Sequence, residues 1–356
     1  MTAFDTAFVD ELLAGQIDLL RFEAGTRARI LAILNRLQAE LATKLMTEDL
    51  TAFGKARTQS MLKQATETID SYYLRAQGEL DAAMGGAANV VATHTATAIE
   101  SSLTVQLAAG LPTETFLSRL ASNALILGAP SSEWWSKQSQ DTAWRFAAEV
   151  RQGVAAGETN EQIVGRIVGS RSKGTTGVME IARSNARALV HTSIQAVANE
   201  ARMETYRKNA DVFECVQWLA TLDDHTCVVC AARDLQKYTI EDDPPEPING
   251  GFPWNGGPGV IHWGCRCIAT GVTKTFKQLG VDLPEPVKGE RASDIGPVSA
   301  GTSFEKFLKR RGKAFTEENL GPGRAELFLS KKLTLDQLLT LDGNRMTLAQ
   351  LKAKYV

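Results

Sequence analysis

The first 127 residues carry the hydrophobic pattern of α-helices. Apolar residues recur at spacings of three and four, which is the period of one helix face. The stronger of two stripes consists of Ile30, Leu34, Leu37, Leu41 and Leu45, and the weaker one of Leu62, Ala65, Ile69, Tyr72 and Leu80. Because such stripes pack helices against one another, the pattern predicts an N-terminal helical bundle from Asp5 to about Leu127.

Turn residues then interrupt the pattern and further helices follow. Gly128 and Pro130 predict a domain boundary near Ala129, and one of the two serines after Pro130 is expected to cap the next helix. A shorter capped helix is expected to begin at residues 159–160.

The longest predicted helix covers residues 178–209. Its sequence, VMEIARSNARALVHTSIQAVANEARMETYRKN, ends on Arg207 and Lys208, and basic residues are favourable at helix C-termini. We interpret His191 in this helix, like His94 upstream, as a structural residue and not as a metal ligand.

A strand and a long loop come next. The stretch VFECVQWLATL is rich in aromatic and β-branched residues, which predicts a strand that contains Cys215 as a buried residue. Residues 241–260, EDDPPEPINGGFPWNGGPGV, are dense in proline and glycine and predict a loop without regular structure.

Two short segments on either side of that loop hold most of the potential metal ligands. The chain has five cysteines and four histidines, and four cysteines and two histidines lie in TLDDHTCVVCAARD and GVIHWGCRCIATGV. The first segment contains a CxxC pair and the second an HxxCxC triplet, which together offer five donors where tetrahedral Zn²⁺ takes four. The candidate ligands are Cys227, Cys230, His262, Cys265 and Cys267.

The fourth ligand is left open between two cysteines. In an extended CxC, both cysteine side chains point to the same side, so either Cys265 or Cys267 can reach the metal. We favour Cys265, with Cys267 as its substitute. Four protein ligands leave no position for a water, so the site is expected to be structural, with reduced cysteines without metal as the simpler alternative.

The aromatic residues around these segments have two interpretations. Phe252, Trp254 and Trp263 either cover the metal site or anchor a partner, and we favour the cover.

Most catalytic alternatives lack their motifs. No histidine is followed by a glutamate two positions later, as zinc deaminases require, and HExxH, GxxxxGK[ST] and GxSxG are absent from the sequence. The remaining enzymatic alternative is a metal-dependent DNA nuclease of the His-metal-finger type, in which Asp224 and His225 would activate a water. No further asparagine or histidine follows at usable spacing, so the sequence predicts a protein that is not an enzyme.

Composition is that of a globular protein. The 356 residues are 44% hydrophobic, and 39 basic residues nearly balance 41 acidic ones, so any contact with nucleic acid must be local. The N-terminus lacks the basic residues of a signal peptide, and no apolar run approaches the ~20 residues of a membrane span. We expect a protein of cytoplasmic origin with no membrane partner and no small-molecule substrate.

The C-terminal part is predicted as a linker, residues 281–301, and a helical tail, residues 302–356. The segment EKFLKRRGKAF in the tail places basic residues beside apolar ones. We interpret the basic residues as a solvated helix face in preference to a contact with the DNA backbone, and expect the linker to let the tail dock on a partner. These basic residues are Lys306, Lys309, Arg310, Arg311 and Lys313.

The cysteine segments resemble a known family. VQWLATLDDHTCVVCAARD, a proline-rich gap and IHWGCRC are similar to the core of the Mu-F-like phage minor head proteins, the phage head morphogenesis family, whose pattern is D-x-x-T-C-x-x-C followed by H-x-x-C-R-C. The preceding helix resembles that family's R-T-x-x-x-x-x-x-N-x-A-R helix, with His191 in the place of its arginine. LGPGRAELF resembles the family's C-terminal segment, so the resemblance covers Trp144 to Val356.

The resemblance implies a minor head protein without accepted enzymatic activity. Such a protein is present in a few copies per phage head and acts in assembly near the portal vertex and the packaged DNA. The implied partners are the portal protein and the major capsid protein, with non-specific DNA contact as a further option. The implied location is the virion head, after assembly in the host cytoplasm.

These observations predict a mainly α fold with a small α+β zinc-binding module. We expect an N-terminal helical region at residues 1–128 and a head-morphogenesis core with the zinc site at 129–280. The linker at 281–301 and the helical tail at 302–356 follow.

Overall fold

The computed structural model describes most of the chain. The described residues are 3–47, 55–102, 108–170, 174–248, 250–280, 282 and 289–355. Helices account for 62% of the structure, which confirms the prediction of a mainly α fold. No helix in these ranges has an apolar stretch long enough to cross a membrane.

The described residues form eleven α-helices and nine short strands. The helices are α1 (Ala3–Thr47), α2 (Lys55–Ser102), α3 (Glu114–Asn123), α4 (Ser131–Ala155), α5 (Asn160–Val168), α6 (Val178–Lys208), α7 (Val228–Ala231), α8 (Phe304–Arg311), α9 (Lys313–Leu320), α10 (Pro322–Leu329) and α11 (Leu348–Tyr355). The strands are β1 (Leu125–Ile126), β2 (Ala129–Pro130), β3 (Gly169–Ser170), β4 (Thr175–Thr176), β5 (Phe213–Leu219), β6 (Lys237–Tyr238), β7 (Ile268–Thr273), β8 (Glu290–Arg291) and β9 (Val298–Ser299).

The chain divides into two compact units that alternate along the sequence. The first unit consists of Met1–Asp18, Ala88–Leu117 and Gln195–Val356, and the second of Leu19–Ala87 and Ser118–Ile194. The sequence predicts domains that follow one another along the chain, and the predicted domain boundaries stay predictions.

The apolar stripes form the core of the second unit. All five residues of the stronger stripe are completely buried, as predicted. In the weaker stripe, the buried tyrosine is Tyr73 and not Tyr72. Tyr73 follows Ile69 by four residues and lies on the same buried face of the helix. The Tyr73 hydroxyl lies 2.7 Å from Thr142 Oγ1.

Polar contacts inside the second unit test three smaller predictions. Thr159 caps α5 in a capping box with Gln162, as the sequence predicts. The predicted serine cap of α4 is wrong, because the helix begins at Ser131 itself and Pro130 occupies the cap position. His191 is structural, since its Nδ1 lies 2.8 Å from Glu23 Oε2 in a largely buried pair.

A three-stranded antiparallel sheet organises the first unit. The strand order is β6-β5-β7, and Leu219 at the end of β5 pairs with Ile268 at the start of β7. This register places the residues that follow β5 beside those that precede β7. The predicted strand is confirmed, and Cys215 within it is completely buried.

The C-terminal half of α6 belongs to the interior of this unit. Asn199 and Arg202, which match the helix motif of the resemblance, are each 3% exposed. Arg202 Nη2 donates to Gln16 Oε1 at 3.3 Å, and Gln16 Nε2 donates to Gln195 Oε1 at 2.9 Å. The motif residues therefore support packing between α6 and the start of α1.

The tail is helical, as predicted, but it packs on the chain's own core. Phe304, Phe307 and Leu308 are completely buried and share one apolar cluster with Leu222 and Phe252. The expectation that the tail docks on a partner instead of its own core is therefore wrong. Its apolar stripe already has a covering surface within the chain.

Part of the predicted linker is folded. Residues 281 and 283–288 lie outside the described residues, whereas β8 and β9 pair as a small hairpin within residues 289–301. Arg291 in this hairpin forms a buried ion pair with Asp234, with an Nη1–Oδ2 distance of 2.9 Å. Asp234 also accepts the backbone N–H of Phe304, so this pair holds the start of the tail.

Candidate metal centre

The sheet register brings the two cysteine segments together. Cys227 is the N-cap of α7 and Cys230 lies within that helix, whereas His262, Cys265 and Cys267 lie in the segment that leads into β7. All four of these cysteines have free thiols. The two segments meet because each is attached to one of two paired strands.

The distances between donor atoms fit one metal ion. Cys227 Sγ and Cys230 Sγ each lie 3.2 Å from His262 Nε2, and Cys230 Sγ lies 3.7 Å from Cys265 Sγ. A tetrahedral zinc ion with Zn–S near 2.3 Å and Zn–N near 2.0 Å separates its ligand atoms by about 3.5–3.8 Å. The sulfur pair matches this spacing, and the sulfur–nitrogen pairs are slightly closer.

Cys230 is common to two overlapping groups of donors. Cys227, Cys230 and His262 form one group and Cys230, Cys265 and Cys267 the other, with the ligand atoms of each group within 4.8 Å of one another. A cavity of about 10 Å³ lies between them. This is the space of about one water molecule, so it suits a single ion and no larger ligand.

Backbone groups orient two of the donors. His262 Nδ1 lies 2.9 Å from the carbonyl oxygen of Trp263 and donates its proton there, which orients the ring so that Nε2 is the nitrogen that faces the cysteines. The backbone N–H of Gly259 donates to Cys265 Sγ at 3.3 Å, a bond that favours the thiolate.

The ionisation of the five donors is interdependent. Hydrogen bonds from Cys230 and His262 lower the pKa of Cys227 to about 4, and hydrogen bonds with Cys227 and Cys265 raise the pKa of His262 to about 11. The pKa of Cys265 is lowered by hydrogen bonds from Cys230 and Cys267, whereas that of Cys230 is raised because it donates to Cys227 and Cys265. Shared protons thus balance the negative charge of the cluster. A divalent cation takes over that role when thiolates and a neutral imidazole bind it.

The choice between Cys265 and Cys267 rests on opposing observations. Cys267 lines the small cavity together with Cys227, Cys230 and His262. Cys265 has a lowered pKa and accepts the backbone hydrogen bond. The pKa of Cys267 is raised: the hydrogen bond with Cys230 lowers it, but the hydrogen bond with Cys265 and burial together raise it by more. We keep Cys265 as the predicted ligand because a metal binds the thiolate.

An ion pair that the sequence analysis missed joins the two segments. Arg266, between the two cysteines of the CxC, donates to both carboxylate oxygens of Asp223 at 2.6 and 2.7 Å. Asp223 also accepts the backbone N–H of His225 and the hydroxyl of Thr226. Residues 223 and 266 are far apart in sequence, and no local pattern signals their contact.

The aromatic residues near the site divide into two classes. Trp254 is 6% exposed, shares an apolar cluster with Cys230, Cys265 and Cys267, and packs edge-on against Tyr238 with 4.9 Å between ring centroids. Phe252 is 8% exposed and belongs instead to the cluster of the tail. Trp263 is 41% exposed.

Two further histidines belong to neither donor group, although His225 lines the same cavity as Cys227, Cys230 and His262. Asp224 and His225 form an exposed pair with 3.5 Å between Oδ1 and Nδ1, and the His225 side chain is 76% exposed. His94 lies against Gly15, where a Cβ would approach the imidazole to 2.5 Å, so its role is packing.

Comparison with known families supports the resemblance inferred from these segments. The family described as Phage Mu protein F like protein matches residues 145–270. The match contains all five candidate ligands and supports a phage head morphogenesis protein. It ends before the tail, so the resemblance of the tail stays a prediction. No curated protein and no solved structure gave a match.

Proposed function

We propose that this chain is a phage minor head protein that acts in head morphogenesis and holds a structural zinc ion. The observation that carries the proposal is the coincidence of two features. The region similar to Phage Mu protein F like proteins is the region in which Cys227, Cys230, His262, Cys265 and Cys267 come together in two overlapping donor groups.

The proposed zinc ion has a structural role. Cys227, Cys230 and His262 would hold it, with Cys265 as the fourth ligand. When bound, it supplies a cross-link between the two ends of the loop at residues 241–260 and a folding free energy on the order of 10 kcal/mol. Four protein ligands close the coordination shell, and the donor cluster is largely buried.

The proposed partners are other proteins of the phage head. The portal protein and the major capsid protein are the expected contacts, near the portal vertex and the packaged DNA. Three basic residues of the tail are paired at the surface, Lys309 with Glu305, Lys313 with Glu317 and Arg311 with Asp294 of the preceding segment, which supports the interpretation of a solvated face. Lys306 and Arg310 are exposed and stay available for DNA phosphates.

No structural observation favours the nuclease alternative. His225 is exposed to solvent, and the cavity beside it admits only an ion or a water. Incubating the wild-type chain with plasmid DNA in Mg²⁺ or Mn²⁺ tests it, with intact plasmid as the expected result. Cleavage by the wild type that His225→Ala abolishes would establish the nuclease instead.

Quantitative mass spectrometry of purified mature particles tests the proposed location. Peptides should be quantified from the N-terminal helices, the cysteine region and the tail. We expect the whole chain at a few copies per particle. Complete absence from mature heads would contradict the location in the virion, and zinc analysis of the purified chain would then test the metal site separately.

A further inference from the structure

Arg233 is a buried cation just beyond the helix that carries the CxxC pair. Its side chain is 0% exposed, and its backbone N–H donates to the carbonyl oxygen of Cys230 at 3.1 Å. A buried charge is costly unless an opposite charge lies nearby. A negatively charged group is therefore expected near the Arg233 guanidinium.

The hydrogen-bond partners of this guanidinium are neutral. Nη1 and Nη2 donate to three backbone carbonyl oxygens, and no carboxylate of the described chain lies within ion-pair distance. The acceptors are the carbonyl oxygens of Val229, Gly343 and Pro253, at 3.1, 3.4 and 3.5 Å.

Aromatic rings enclose the same group without neutralising it. The guanidinium carbon lies 5.0 Å from the ring centroid of Phe252 and 5.7 Å from that of Trp218. Burial raises the pKa of nearby Tyr238, which therefore stays a neutral phenol. These contacts hold the cation in place and leave its charge uncompensated.

The neighbouring carboxylates already have cations of their own. Both oxygens of Asp234 bind Arg291, at 2.9 and 3.1 Å, and both oxygens of Asp223 bind Arg266. The cysteine cluster is the remaining source of negative charge near Arg233, because Trp218, on which the guanidinium lies, shares one apolar cluster with Cys230, Cys265 and Cys267. Burial lowers the pKa of Arg233, and Tyr238, Cys230 and Cys227 act in the opposite direction.

We propose that Arg233 is the countercharge of the metal–thiolate cluster and a positioning residue for the metal. This inference rests on the proposed zinc site. Zinc contributes two positive charges and three thiolates contribute three negative ones, so a Cys₃His site carries about one net negative charge inside the protein. Arg233 supplies one buried positive charge beside it. Groups just outside a ligand shell change metal affinity by roughly 10–100-fold.

Zinc affinity of the full chain tests this role. Competition with a chromophoric chelator should compare the wild type with Arg233→Met, which fills the site without charge, and Arg233→Lys, which keeps the charge. We expect affinity to fall by roughly 10–100-fold in Arg233→Met and by only a few-fold in Arg233→Lys. Phe307→Leu is the packing control, because Phe307 is completely buried in the tail and is not one of the rings around the guanidinium. We expect it to lower the melting temperature while keeping wild-type affinity.

The possible results separate this inference from the proposed zinc site. A wild type that binds no zinc overturns both. Wild-type zinc binding with equal affinity in Arg233→Met overturns the countercharge alone, as does an equal loss of affinity in Phe307→Leu. If Arg233→Met does not fold, Arg233→Gln replaces it, and unchanged affinity in that variant likewise contradicts the inference.

Discussion

The guanidinium of Arg266 forms two short hydrogen bonds with the carboxylate of Asp223. The Arg266 side chain is 32% exposed and that of Asp223 15%. Asp223 precedes the CxxC pair and Arg266 lies inside the CxC, so the pair fixes the distance between the two cysteine segments independently of a metal. Side chains around a metal site commonly orient its ligands in this way.

Asp223→Asn should weaken the ion pair between residues 223 and 266. The change keeps the shape of the side chain but removes its charge and one good acceptor of the Arg266 bonds. Because the pair is partly exposed, we expect the free energy of unfolding to fall by about 1–2 kcal/mol. Chemical denaturation measures this, and Asp224→Asn is the control because it makes the same change at an exposed neighbour. An equal loss in both variants would contradict a specific role for Asp223.

The same pair should make stability depend on pH. Burial raises the pKa of Asp223, but the hydrogen bonds and the charge of Arg266 lower it by a larger amount. The pKa of Asp223 therefore lies below its usual value. A carboxylate with a lowered folded pKa contributes stability above its unfolded pKa of about 3.9 and loses it as the pH falls through the folded value. The stability difference between the wild type and Asp223→Asn should therefore be constant near pH 6 and shrink below about pH 4. A difference that grows on acidification would refute this.

Removing one donor should remove the zinc. Cys227→Ser replaces a thiolate with a hydroxyl that does not ionise near neutral pH. We expect zinc content to fall from about one ion per chain to none and the free energy of unfolding to fall by at least ~3 kcal/mol. Elemental analysis and thermal melting measure the two effects. Cys215→Ala is the control, because Cys215 is buried in β5 and belongs to neither donor group; unchanged zinc content and melting in Cys227→Ser would reject the site.

The sequence predicts the candidate site better than it predicts its surroundings. Ligand spacing alone selected the five candidate donors that the structure brings together, because CxxC and HxxCxC are local patterns, and the strand before Cys227 follows from its residue types. The pairing of Leu219 with Ile268, which brings the segments together, depends on contacts distant in sequence. The Asp223–Arg266 ion pair also depends on contacts distant in sequence. No local sequence pattern indicates the strand pairing or the ion pair.

The tail shows the same limit on prediction. The sequence predicts a helical tail, but the apolar residues of that tail do not identify the surface that covers Phe304 and Phe307. The prolines and glycines before the tail suggested a free linker, whereas Arg291 and Asp234 anchor part of that segment in the core. The buried Arg–Asp pair is specific to the tertiary structure.

Cobalt substitution should identify the fourth ligand. Cobalt(II) adopts the same tetrahedral sites, and its sulfur-to-metal charge-transfer absorption increases with the number of thiolates. We expect Cys267→Ser to keep the full absorption of the wild type and Cys265→Ser to lose about a third of it, because Cys265 carries the thiolate that Gly259 stabilises. The reverse pattern would assign the ligand to Cys267, which lines the cavity.

Gly343→Ala should loosen the tail more than a matched glycine change. A Cβ on Gly343, at φ +76°, would clash with Arg233 Nη2, and the guanidinium has little room to retreat between Trp218 and Phe252. Gly280→Ala is the control, because Gly280 has nearly the same φ of +75° but no atom within 4 Å of its added Cβ. We expect Gly280→Ala to cost about 1–2 kcal/mol from backbone strain alone, and Gly343→Ala to cost about 1–3 kcal/mol more from the clash. Limited proteolysis should then release the tail faster from Gly343→Ala. Equal stability and equal cleavage of the two variants would mean that Arg233 does not hold the turn around Gly343 against the core.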